Sequence, residues 1–319
     1  MDKRSFGAGF LCVYQQHKLT LGINFPIEAY DSPVANMLDQ ISLAQRAEQA
    51  GFAALWSRDV PLLDPSFGDA GQIYDPWVWL GFMTAHTNTI ALGTGSIILP
   101  LRASVDVAKA ATSVDQLSKG RLILGVASGD RPVEYSVYKQ DFEQRGERFK
   151  ESFQFIRECA HKPEGWDNQL AAYSGSVDML PKSYRSDLPL LVTGNSRQSL
   201  SWIARHSDGW LMYPRDIAQQ TIVLKQWREA LAAHNLAWKP FSQSLYIDLT
   251  KDADAQPVRI HLGYRLGRNA LIEHLTKLQD IGVNHVSFNV RFSTRAVTDV
   301  IDELGEYVLP HFPANQANL

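Results

Sequence analysis

The residues best suited to chemistry fall in the run Thr193-Gly194-Asn195-Ser196-Arg197-Gln198-Ser199. A short apolar stretch ends there and a helical pattern follows. Free backbone N–H groups and the positive end of a helix dipole would gather at that junction. Ser196 and Ser199 add hydroxyl donors, Arg197 adds charge, and Gly194 allows close backbone approach. These are the parts of a phosphate-binding cup. The same residues also make a plain capped turn, because Asn and Ser are ordinary N-caps.

Two more runs place small residues where a ligand could approach. Gly95 and Ser96 interrupt the apolar stretch GTGSIILP. Glycine inside a strand marks a bulge, a close ligand, or a small residue packed against a large one. Ser128 and Gly129, in GVASGD, could give further donors to an anion or simply form a loop. Other polar or aromatic residues at strand ends are Asn24, Trp56, Arg58, Asp59, Asp248, Asn289 and Arg291.

A metal-dependent hydrolase needs His and carboxylate ligands clustered at such ends. Here the nine histidines are scattered, Asn24 stands where an HxH pair is expected, and only His285 lies in a strand. No metal site is expected.

The elements that must position these residues alternate regularly. Strands are expected at 19–26, 53–59, 90–99, 121–128, 188–195, 208–214, 242–249 and 283–290. Helices are expected at 34–50, 75–86, 104–117, 144–160, from Ser196, at 216–235, at 269–281 and from about Val297. Irregular stretches at 162–187 and 250–268 read as insertions, after the fourth helix and the seventh strand.

Eight strand–helix units without a composition break predict one domain over residues 1–319, an α/β protein of the (β/α)8 TIM-barrel class. An open doubly wound sheet would carry a Gly-rich turn after its first strand, where this chain has Phe25-Pro26. In such barrels the functional site lies where strands end and loops begin.

Composition narrows the partners. A net charge of −3 without a basic stripe argues against nucleic acid. Cys12 and Cys159 are far apart, in no metal or redox spacing, which suits a reducing cytoplasm. The short, interrupted N-terminal apolar run predicts no signal peptide and no membrane helix.

The run GTGSIILPLRASVDVAKAATSVDQLSKGRLILGVASGD resembles the bacterial luciferase-like flavin monooxygenases, as do VTGNSRQSLSWIARHSDGW and AEQAGFAALWSRD. The similarity runs from about residue 19 to 215. Asn24-Phe25-Pro26 and Trp56-Ser57-Arg58-Asp59-Val60-Pro61 resemble the luciferase-type oxidoreductase branch.

The resemblance implies FMN, reduced by a separate flavin reductase, reacting with oxygen on a small organic substrate. It places a non-prolyl cis peptide at Gly95-Ser96 beneath the flavin ring. It places a phosphate or ribityl contact at Ser128, where the luciferases carry a basic residue. It assigns the phosphate cup to Gly194, Ser196, Arg197 and Ser199.

Arg58 and Ala127 stand where the luciferases have a catalytic histidine and a reactive cysteine, so that chemistry does not carry over. Arg58, Asp59, Asn24 and Asp75 become the candidates to orient the ring or donate protons. Trp56, Phe25 and Trp77 are candidate walls of a dry pocket. An Arg58–Asp59 structural pair is the competing reading, and core packing the competing reading for the rings.

Deazaflavin F420 with hydride transfer is the alternative cofactor on the same barrel. A non-catalytic flavin-binding protein is a further alternative, and a homodimer is expected. The two insertions would set the substrate. The second holds Arg259, His261, Tyr264, Arg265 and Arg268, which could close over an anionic ligand or form a solvated loop.

Overall fold

Apolar residues alternate faces along each short strand, and that alternation separates two cores. The computed structural model describes residues 4–64, 66, 74–160, 177–185 and 187–315. Eight parallel strands form the barrel: β1 (Thr20–Asn24), β2 (Ala54–Ser57), β3 (Ala91–Thr94), β5 (Leu122–Ala127), β6 (Leu190–Thr193), β7 (Gly209–Met212), β8 (Phe241–Leu249) and β11 (His285–Asn289). They pair in that order, and β11 closes the ring by pairing with both β8 and β1.

Leu55, Leu92, Leu122, Leu124, Leu190, Val192 and Trp210 face the outer helices in the large core. Their strand neighbours Ala54, Trp56, Ala91, Ile123, Leu191 and Leu211 form the inner one.

A short N-terminal helix, Ala8–Val13, joins that inner core through Phe10 and Val13 and was not foreseen. It sits against the turn that precedes β5. Gly9 donates its N–H to Gly120 O at 3.0 Å, and a Cβ on Gly9 would lie 2.3 Å from Arg121 O. Only glycine permits that approach.

Several boundaries differ from expectation. The first barrel helix begins at Gln40 and not at Val34. Met37 and Asp39 take left-handed backbone, and Glu28 accepts the N–H groups of Asn36 (2.7 Å) and Met37 (2.9 Å). Those bonds replace the first helical turns.

The third strand is divided by Gly95-Ser96, and its continuation β4 (Ile97–Ile98) pairs with β5. A further helix, Pro132–Val137, precedes Arg145–Ala160.

The second irregular stretch is a hairpin of β9 (Val258–Ile260) and β10 (Gly263–Leu266), and β10 extends the sheet beyond β8. The first insertion lies largely outside the described residues. No described helix is long and apolar enough to cross a membrane.

Candidate active site at the barrel mouth

The carboxyl ends of the strands enclose a cavity of about 600 Å3. Asn24, Trp56, Arg58, Gly95, Thr193, Tyr246 and Asn289 are among its lining residues, with Leu211, Met212 and Leu262 as apolar surface. The structure thus brings together three expected residues, Asn24, Arg58 and Gly95, with the expected wall Trp56. Phe25 and Trp77 do not line the cavity. Phe25 packs in the outer core, edge-on to Trp79 at 5.2 Å between ring centroids. Trp77 packs against the same core.

Trp56 is fixed from two sides. Gly93, its partner across the β2–β3 register, leaves room for the indole, and a Cβ there would lie 2.4 Å from Trp56 Cε3. From the other side, Trp56 Nε1 donates to His285 Nε2 at 2.9 Å.

His285 is wholly buried, and burial lowers its pKa to about 3. Its Nδ1 meets Thr20 Oγ1 at 2.8 Å, and Thr20 donates onward to Val13 O at 2.8 Å. The strand histidine is therefore bonded at both nitrogens and serves as a support. Among the described residues, no three or more His, Cys, Asp or Glu side chains group as a metal site.

Asn24 donates Nδ2 to Ser287 O (3.2 Å) and Phe288 O (3.0 Å), which closes the barrel between β1 and β11. Asp59 does not pair with Arg58. Both its oxygens bond Arg102, at 2.7 and 3.0 Å, and it accepts the Ile98 N–H at 3.1 Å. It therefore anchors the chain just past Gly95-Ser96. Asp75 caps its helix by accepting from Trp77 N at 2.9 Å and lies 3.4 Å from Arg102.

The Gly95-Ser96 peptide is cis. Ser96 Oγ bonds Thr193 Oγ1, joining the third strand to the end of β6. Among the described residues, a Cβ on Gly95 would meet only Trp56 Cε3, at 3.7 Å.

The expected cup takes a different form from a helix opening at Ser196. The helix runs Leu200–His206, and Ser199 is its N-cap, accepting from Trp202 N at 3.2 Å. Gly194, Ser196 and Arg197 all have positive φ, so the chain turns tightly before the helix starts. Ser196 Oγ donates to Thr193 O at 2.8 Å and accepts from Ser128 N at 3.2 Å. Those two bonds tie the loops after β5 and β6 into one rim. Tyr135 Oη donates to Ser128 O and holds that rim from below.

Sequence reasoning missed His285, Gly93 and Arg102. An Asp59 two residues past a strand end gave no hint of a partner 43 positions away.

A profile of luciferase-like monooxygenases matches residues 20–272, most of the barrel. The chain belongs to the luciferase-like monooxygenase family. An F420-dependent hydroxymycolic acid dehydrogenase of Mycobacterium tuberculosis is 28% identical over 186 residues, 56% of this chain and 49% of that protein. The alkanal monooxygenase alpha chain of Photorhabdus luminescens is 27% identical over 176 residues, 52% and 45% of the two chains.

The chain thus spans about half the length of these curated relatives. The fold is shared with an F420-dependent secondary alcohol dehydrogenase, at a TM-score of 0.72 and 16% identity, covering 92% of this chain and 99% of that one. Family members are oxidoreductases that use a flavin or F420.

Proposed function

We propose that this chain is an FMN-dependent monooxygenase acting on a small organic substrate. One observation carries the reading: the cavity of about 600 Å3 is lined by Gly95, which carries no side chain and, among the described residues, faces Trp56 as the neighbouring wall. A planar ring needs such an unobstructed surface, and a family member would place its cofactor at the carboxyl ends of the strands. At Gly194 a Cβ would meet nothing within 4 Å among the described residues, which leaves space on the β6 side of the rim.

In this reading Gly95 and Ser96 support the ring. Ser128, Gly194, Ser196, Arg197 and Ser199 form the phosphate end, where successive backbone N–H groups at the positive-φ turn can converge on an anion. Reduced FMN, delivered by a separate reductase, supplies the electrons that activate oxygen.

Trp56, Leu211, Met212 and Leu262 keep water from the reacting atoms. Arg58 and Asn24 line the cavity, where the guanidinium and the amide oxygen would orient the ring by hydrogen bonds at its edge. Asp59 contributes by position, since Arg102 and Ile98 hold its carboxylate. A homodimer belongs to the same reading.

A second reading is F420 with hydride transfer, favoured by the F420-dependent relative. Titrating the protein with each cofactor, followed by tryptophan quenching, separates the two. FMN should bind, and Ser196→Ala with Arg197→Ala should weaken it about tenfold or more. Unchanged FMN affinity would remove the cup. Preferential binding of F420, with no oxygen uptake in the presence of a reductase and NADH, would replace the first reading by the second.

A further inference from the structure

A second opening of about 660 Å3 lies beside the central cavity, lined in part by Tyr30, Asp31, His261, Arg265, Arg291 and Phe292. His261 borders both spaces. The wall between them is a cluster of three rings. Tyr246 lies 5.6 Å from His261 and 5.4 Å from Phe292, centroid to centroid. The hairpin β9–β10, unread in the sequence, supplies His261 and Arg265 to this vestibule.

The arginines around this end of the barrel are unequal. Arg265 gives Nε to the buried Asp248 at 2.6 Å. Arg268 and Arg295 both bond Glu303, at 2.9 and 2.6 Å. Arg291 has no such carboxylate among the described residues. Its guanidinium lies near two rings, 4.8 Å from the Tyr30 centroid and 5.5 Å from that of Phe292. Among the described residues, its guanidinium donates one hydrogen bond, from Nε to Tyr30 O at 3.4 Å.

The backbone beneath it is fixed independently. Tyr30 N donates to Arg291 O at 3.1 Å, and Arg291 N donates to Asn289 Oδ1 at 3.0 Å. A planar donor fork, oriented by flanking rings and left without an anion, suits a planar oxyanion. Asp31 on the same rim disfavours a multiply charged group and leaves a single carboxylate as the best match.

We propose that Arg291 anchors a carboxylate at one end of the substrate, whose apolar body reaches past His261 into the central cavity. This deepens the proposed function and rests on it. The apolar lining by Trp56, Leu211, Met212 and Leu262 provides for that body. Arg291 is here a specificity-determining residue.

The test compares hexanoate with hexanol by calorimetry on the full chain and on Arg291→Met and Arg291→Lys. Both variants keep the backbone bonds of the loop. Hexanoate should bind the wild type at least about tenfold more tightly than hexanol. Arg291→Met should abolish that preference, Arg291→Lys should retain part of it, and hexanol should bind all three alike.

Equal binding of the two probes to the wild type would overturn the proposal, as would an unchanged hexanoate affinity in Arg291→Met. FMN and F420 are titrated on the same samples. If neither binds while the hexanoate pattern holds, the cofactor reading fails and the anchor stands.

Discussion

Acid should weaken this barrel through one histidine. Thr20 gives its only hydroxyl proton to Val13 O, so it must accept from His285 Nδ1. Indole nitrogen can only donate, so His285 Nε2 accepts from Trp56. The ring is therefore the neutral Nδ1–H form, and a second proton would point Nε2–H at the indole N–H.

Burial sets its pKa at about 3, against 6.5 ordinarily. Between those values the unfolded chain binds the extra proton and the folded chain does not. Stability is therefore full above about pH 6.5 and falls by up to ~1.4 kcal/mol for each pH unit below it. Burial raises Asp115 to about 6 and Glu134 to about 7, and these act in the opposite direction over their own windows.

Comparison with His285→Leu cancels their contribution. That variant leaves the Trp56 N–H unpaired and should cost about 1–3 kcal/mol at neutral pH. By about pH 5 the wild type has lost roughly 2 kcal/mol through His285, so the two stability curves should meet near there. Urea unfolding followed by circular dichroism across that range gives both curves. Parallel curves, with a constant gap, would refute the lowered pKa of His285 and the neutral buried ring.

Three further outcomes follow from single contacts. Gly93→Ala places a Cβ against the Trp56 ring and should cost about 1–3 kcal/mol by urea unfolding. It should also weaken cofactor binding in a quenching titration, because the displaced indole enters the cavity. Asp59→Asn should lower stability by about 2 kcal/mol, below the ~3–5 of a fully buried pair, because Arg102 keeps Asp75 at 3.4 Å. Cofactor affinity should fall with it, because Asp59 anchors the chain just past Gly95-Ser96, and an unchanged affinity would refute that positioning role. Ser199→Ala should cost about 1 kcal/mol by thermal melting through loss of the N-cap alone.

The barrel was legible because each strand is a short apolar run, buried on both faces, and each helix carries its own 3.6-residue signal, within ten or so residues. Strand positions 53–59 and 121–128 contain β2 and β5 with only end residues trimmed. Asp75-Pro76 announced the helix that begins there, since cap chemistry is local. Errors of boundary arose where a side chain captures backbone groups that a helix would otherwise use. The pattern from Val34 looks helical, yet Glu28 captures two N–H groups and the helix waits until Gln40. Ser196-Arg197 looks like a helix start, yet Ser196 bonds Thr193 O and turns the chain left-handed first.

The mouth of the barrel shows the same division. Asn24, Arg58 and Gly95 were visible as strand ends, because a closed parallel barrel sends every strand end to one rim. The residues that hold that rim were not visible. His285 supports Trp56 across 229 positions, and Arg102 holds Asp59 across 43. Arg291 shows why such pairings matter for function as well as stability. In sequence it is one arginine among several near this end. Arg265, Arg268 and Arg295 each meet a carboxylate, whereas Arg291 meets none among the described residues and lies against two rings at the edge of the vestibule, within reach of an incoming anion.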